Sequence, residues 1–153
     1  MIKILSIDKI KENSIKSSIE LYLKRLDNRL KVEIVEIPPA KYHTFDNVEK
    51  AKSIEAAKIL EKINPQSLVV ALDENGSQYT SCEFSDLIFT SLNHKHITFI
   101  IGGAYGLSSD ILSKADKIIS FSKMTFTHEM IRLFLIEQIY RAYTINSNIK
   151  YHH

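Results

Sequence analysis

The sequence predicts an α/β domain whose mainly parallel sheet carries helices on both faces. Three observations lead there. Five apolar runs of strand length alternate with segments of helical spacing, the run SLVVAL at 67–72 is apolar throughout like a strand buried on both faces, and glycine or polar clusters follow the later strands at once. The 153 residues, 44% of them hydrophobic, suit one compact domain over 1–153.

Ile2, Ile4, Leu5 and Ile7 make the first short buried strand, and Ile15, Ile19, Tyr22, Leu23 and Leu26 recur at helical spacing through Ser14 to Arg29. Val32 to Ile37 is a second strand, stopped by Pro38 and Pro39, and an exposed loop runs on to Asp46. Asn47 to Ile63 reads as a helix with Val48, Ala51, Ile54, Ala57 and Leu60 inward, ended by Asn64 and Pro65. After SLVVAL, Asp73 to Gly76 is expected to form a tight turn. Ser81 is the expected cap of a helix to Leu92, Ile97 to Ile101 the next buried strand, Ser108 to Lys114 a short helix, and Lys117 to Ser120 the last strand.

The stretch from Ile118 to Ala142 organises the chain. A strand runs into a polar loop of Ser122, Lys123, Thr125 and Thr127, which opens a long helix capped by Thr127 or Thr125 with Glu129 in its first turn. A strand end meeting a helix N-terminus gathers free N–H groups where an acceptor-rich ligand can be held. The helix carries Met130, Ile131, Leu133, Phe134, Leu135, Ile136, Ile139, Tyr140, Ala142 and Tyr143 around nearly its whole circumference. It is therefore expected to be buried on both sides, by its own sheet and by a second subunit.

The net charge is only +2, but the C-terminal part is weakly basic, with Lys117, Lys123, Arg132, Arg141 and Lys150 against Glu129 and Glu137. That suits an anionic partner such as RNA, or equally a solvated face. Cys82 is the only cysteine, so an intrachain disulfide and a multi-cysteine zinc site are excluded, and a reducing cytoplasm is expected. The run Ile2 to Ile7 is too short for a signal peptide or a membrane span.

Gly102, Gly103 and Gly106 are three of only four glycines, all just past a strand. They permit close approach of a ligand, or make a plain turn. The spacing is neither a dinucleotide fingerprint nor a Walker A loop. His128, just inside the helix start, is either a proton acceptor, kept neutral by the helix terminus, or a structural side chain. His94 and His96 read as surface residues, Cys82 as a packing residue, and no metal is expected. Tyr151, His152 and His153 are a frayed end, or an aromatic and two imidazoles that close over a base.

FIIGGAYGL (99–107), SFSKMTFTHEMIRLFLIEQIYRA (120–142) and the terminal YHH together resemble the RlmH-type family of SPOUT-class ribosomal methyltransferases, as do MIKILSIDKIKE and NPQSLVVALDENG. The likeness runs end to end, and the long C-terminal motif is its specific part. It implies an α/β fold with a C-terminal trefoil knot and a homodimer through the C-terminal helix. The implied reaction moves a methyl group from S-adenosylmethionine to N3 of a pseudouridine in a 23S rRNA stem-loop on the ribosome. Carried over by position, cofactor contacts fall on Leu72, Gly102, Gly103, Gly106, Phe121, Ser122, Lys123, Met124, Thr125 and Phe126. His128 is the implied base or orienting group, Arg132 or Arg141 position phosphate or base, and Tyr151 and His152 close the substrate side from the same or the other subunit.

Asp8 departs from the family pattern, where glycine is common, as do Thr127 in place of proline, Glu129 in place of a neutral residue, and His153 in place of a cation. Two other functions fit the same residues: a SPOUT methyltransferase for another rRNA or tRNA nucleotide, and a non-catalytic dimeric ribosome-binding factor. Stabilisation by S-adenosylmethionine separates the enzymes from the factor.

Overall fold

The computed structural model describes residues 1–26, 29–41 and 48–151. The expected Asn47 helix start, the loop at 42–46 and the terminal His152 and His153 lie outside them. Five strands, β1 (Ile2–Ile7), β2 (Val32–Ile37), β3 (Leu68–Ser77), β4 (Ile97–Ile101) and β5 (Lys117–Ile119), form one parallel sheet in the order β2-β1-β4-β3-β5. Helices α1 (Asn13–Leu26), α3 (Ser81–Leu92) and α5 (His128–Asn146) cover one face, and α2 (Val48–Leu60) with α4 (Ser109–Lys114) the other. Strand alternation explains the two layers. Ile2, Ile4, Val70, Leu72 and Phe99 point toward the α1/α3/α5 side, while Leu5, Ile7, Val69, Ala71 and Ile100 point to the opposite side.

α5 lies between α1 and α3 and presses Leu135, Ile136, Ile139 and Ala142 into the core. Its other side remains half-exposed in a single chain, with Leu133, Phe134, Glu137 and Gln138 lining an open hollow. No helix among the described residues is long and apolar enough to cross a membrane.

Three local expectations are corrected. Thr80, not Ser81, caps α3: its hydroxyl accepts from Glu83 N at 3.2 Å while the Glu83 carboxylate accepts from Thr80 N at 2.7 Å, a complete capping box. α2 turns a different face inward from the one expected. Ala51, Glu55, Ala56 and Ile59 are buried, whereas Ile54 is 43% exposed, because the Glu55 carboxylate is drawn in to accept from Ala40 N at 3.0 Å.

Asp73 to Gly76 do not form a free tight turn; β3 continues to Ser77, and both Leu72 and Ser77 pair with Ile119. The chain from 72 to 77 therefore wraps round the end of β5, with Ser120 N donating to Ser77 O at 2.9 Å. Gly76 sits at the crossing. A Cβ there would lie 2.6 Å from the Ile119 carbonyl carbon and 2.7 Å from that of Ile118, both backbone atoms with no room to yield. Gly76→Ala is expected to destabilise the fold by about 3 kcal/mol, at the upper end of overpacking costs, as read by urea unfolding.

Candidate functional site

The C-terminal ends of β3, β4 and β5 face the N-terminus of α5 across a cleft of about 1200 Å³. Ligands sit at this edge in open parallel sheets. Leu72, Gly102, Gly103, Gly106, Phe121, Ser122, Met124, Thr125, Phe126 and His128 all line it, so the loops singled out in the sequence meet in space. Lys123 does not: it lies on the outer side of the loop, beside Glu74, Asn75, Gly76 and Gln78. Asp73, Glu74, Glu12 and Tyr105 also line the cleft, although none was named as a candidate site residue, Asp73 and Glu74 being read only as part of a turn after the strand. A pair of acidic residues directly after an apolar strand was the available signal.

Backbone demands account for the glycines. Gly106 has φ +74°, and Gly106 N donates to Gly103 O at 3.1 Å, closing the loop so tightly that a Cβ on Gly102 would stand 2.7 Å from the Gly106 carbonyl carbon. The second loop is held by side chains. Ser120 Oγ donates to Ser122 O at 2.7 Å, Ser122 Oγ accepts from Met124 N at 3.0 Å, and Thr125 Oγ1 donates to Glu74 Oε2 at 2.7 Å, tying the loop across to β3. Thr127 caps α5, accepting from Met130 N at 3.3 Å, so threonine fills the place of the usual proline.

His128, the first residue of α5, has a buried Nε2 with no hydrogen-bond partner among the described residues. Two of the positions that depart from the pattern this chain resembles, Asp8 and Glu129, stand beside it. Asp8 occupies the left-handed region at φ +65°, a conformation that glycine adopts without strain; its carboxylate accepts from Lys9 N at 2.8 Å and Lys11 Nζ at 3.0 Å. Burial alone would push the Asp8 carboxyl up, but the bonds from Lys11 and Lys9 hold it below the usual range. Glu129 accepts from Glu12 N at 3.1 Å, pinning the β1–α1 loop to the start of α5.

Arg132, one turn beyond His128, is fully buried rather than open to a phosphate. Its Nη1 donates to Glu36 Oε1 at 2.7 Å, and its Nη2 donates to Asp8 O at 2.8 Å and to Ser6 Oγ. Burial lowers its pKa, and Glu36 counters that shift. Arg141 and Tyr151 are not at the cleft. Thirteen residues separate His128 from Arg141, about 20 Å along a helix. There Glu137 Oε1 accepts from Arg141 Nη2 at 2.7 Å and Tyr151 OH at 3.1 Å, and the Arg141 guanidinium lies 4.8 Å from the Tyr151 ring centre. The bond to Glu137 raises the Arg141 pKa, and burial followed by the Tyr22 and Glu137 contacts drives that of Tyr151 up.

The family profile described as "Predicted SPOUT methyltransferase" matches residues 1–152. A relative from Christiangramia forsetii named "Ribosomal RNA large subunit methyltransferase H" is 42% identical, covering 99% of this chain and 98% of its own. One of the same name from Clostridium botulinum is 44% identical over equal shares. Among solved structures, a "probable methylase family protein" from Haemophilus influenzae superposes with a TM-score of 0.65 at 14% identity, over 99% of this chain and 70% of that one. A "Probable Methyltransferase" from Bordetella pertussis gives 0.58 at 12% identity, over 93% and 95%. At these identities the superpositions speak for the fold alone.

The buried guanidinium makes a stability claim. Arg132→Ala removes the donor to Ser6 and the Asp8 carbonyl and leaves a cavity at a fully buried position, and it is expected to cost about 2–5 kcal/mol in urea unfolding. Arg132→Met, which fills the space, is expected to cost less.

Proposed function

The chain belongs to the SPOUT methyltransferase family, and on that premise we propose that it methylates N3 of a pseudouridine in a 23S rRNA stem-loop, with S-adenosylmethionine as donor. The observation that carries this reading is the meeting of the three strand-end loops and His128 in one cleft beside a buried, unpartnered imidazole nitrogen. The lining fits the donor. Leu72, Ile101, Leu107 and Ile118 offer apolar walls for an adenine, and Asp73, Glu74 and Glu129 suit a ligand of net positive charge. Gly102 and Gly103 leave backbone accessible to it.

When bound, S-adenosylmethionine supplies an electrophilic methyl group on a sulfonium sulfur. The protein's share is to hold the base in line and to accept the weakly acidic N3 proton. His128 Nε2 is the acceptor in this reading, and Arg132 acts by positioning α5 rather than by touching the RNA. Lys123, Arg141 and Tyr151 belong on the RNA side, beyond the cofactor cleft, and His152 is assigned to RNA contact on the resemblance alone.

The protein works as a cytoplasmic homodimer through α5. Support comes from the hollow of about 620 Å³ over that helix, walled by Tyr22, Phe84, Phe121, Phe126, Leu133 and Phe134, and from Met124, left 72% exposed on the loop before α5. The same contact brings the Arg141 and Tyr151 end of one α5 toward the partner's cleft. The wrap of residues 72–77 round β5 supports the trefoil knot of the family fold.

Labelled methyl from S-adenosylmethionine is expected to reach a 23S pseudouridine when intact ribosomes from cells lacking this protein are the substrate. Cofactor binding without transfer to any rRNA would defeat this reading in favour of a tRNA substrate or a binding factor. His128→Ala is expected to lower kcat about 10²- to 10⁴-fold while thermal stabilisation by the cofactor persists. Phe134→Glu is expected to give a monomer in sedimentation and to abolish transfer.

A further inference from the structure

The cofactor cleft does not stop at His128. With Gly103, Ala104, Tyr105 and Lys52, this side chain also lines a second hollow of about 380 Å³, whose wall includes Asp8 and Glu55. The two spaces thus share one partition, and the second has the size of a single nucleoside rather than of a cofactor.

Glu55 is the unusual group. Only 8% exposed, it is a buried carboxylate with no ion-pair partner among the described residues. Such burial is rare without compensation. Oε1 has its bond, accepting from Ala40 N at 3.0 Å. Oε2 has no hydrogen-bond partner among the described residues, and it stands on the side of Gly103, where a Cβ would come to 3.6 Å, an ordinary contact distance. His128 Nε2, buried and likewise unpartnered, borders the same hollow. A buried, unpartnered imidazole nitrogen and a carboxylate oxygen with no hydrogen-bond partner among the described residues therefore line a space that adjoins the methyl-donor cleft.

We propose that this hollow receives the target base and that Glu55 Oε2 accepts the N1–H of pseudouridine, making Glu55 the residue that selects pseudouridine over uridine. The inference rests on the reading that N3 of a pseudouridine is the methyl acceptor. The chemistry is specific. In pseudouridine the sugar is attached at C5, so N1 carries a hydrogen, and N1–H and N3–H flank the C2 carbonyl. With N3 held at His128, the second donor points to the other side of the hollow. Uridine with its N3 in the same place presents C5–H there, which covers the carboxylate oxygen without giving it a donor. A site built to bond an N–H discriminates strongly against an analogue that lacks it.

The test uses the full chain with labelled S-adenosylmethionine and large ribosomal subunits whose 23S rRNA carries pseudouridine, uridine or N1-methylpseudouridine at the target. Wild type is expected to favour pseudouridine over both others by about 10- to 100-fold in kcat/KM. In Glu55→Gln one amide oxygen cannot accept from both Ala40 N and N1–H, so the ratio is expected to fall toward one, chiefly through loss on pseudouridine. Cofactor-dependent thermal stabilisation checks that this variant is folded. Similar wild-type rates on all three substrates, or an unchanged ratio in folded Glu55→Gln, would overturn the role of Glu55 and leave the methyl-transfer reading standing. No transfer to any of the three would overturn that reading and the inference together. Because N1-methylpseudouridine tests the wild-type chain, the outcome does not depend on the variant folding.

Discussion

The buried guanidinium of Arg132 holds the functional end of the molecule in place. It joins α5 to the ends of β1 and β2 through the Glu36 carboxylate, the Ser6 hydroxyl and the Asp8 carbonyl. Taking such an ion out of water is costly, and this set of acceptors offsets the cost only while all of them stay in place. His128 lies one helical turn away, so its direction follows from the same anchor. The positive φ of Asp8 presents the carbonyl that Arg132 uses, and the Glu129 bond to Glu12 N adds a second tie between the β1–α1 loop and α5. Position at the cleft is thus bought with backbone strain and buried charge.

The strands and the cleft were readable because each rests on a local signal. Runs such as 68–72 and 97–101 are buried on both faces, and the glycines at 102 and 106 serve a loop that only glycine can close. What could not be read depends on partners far away in sequence. The buried face of α2 is set by Glu55 reaching the Ala40 N–H, an interaction that no helical periodicity encodes. The continuation of β3 through Asp73–Gly76 exists only because β5 lies inside the bend. Arg132 resembles a phosphate ligand by its place beside the site, yet the alternating strand VEIVEI supplied its partner, Glu36. A charged residue near a strand end was the trace of that ion pair, and it had no meaning until the strand was placed beside α5.

Charge is segregated along α5. At its start the cleft is lined by Glu12, Asp73, Glu74 and Glu129, and at its end Arg25 lies 5.5 and 5.6 Å from the Tyr22 and Tyr140 rings, Arg29 6.0 Å from Tyr143, and Arg141 4.8 Å from Tyr151. An acidic cleft attracts a cationic methyl donor and repels a phosphate chain. RNA therefore has to be gripped away from the place where it reacts, with only an uncharged base entering between the carboxylates. The guanidinium and tyrosine pairs suit that grip, since they combine charge for phosphates with ring faces for bases. Within one chain they stand about 20 Å from His128 along the helix, too far for a single flipped nucleotide to span easily. The proposed two-fold contact through α5 resolves the distance: an antiparallel pair of these helices places the basic end of each beside the acidic end of the other. On this argument the electrostatics favour the proposed dimer, because a lone chain keeps its RNA-attracting groups and its reacting site at opposite ends of one helix.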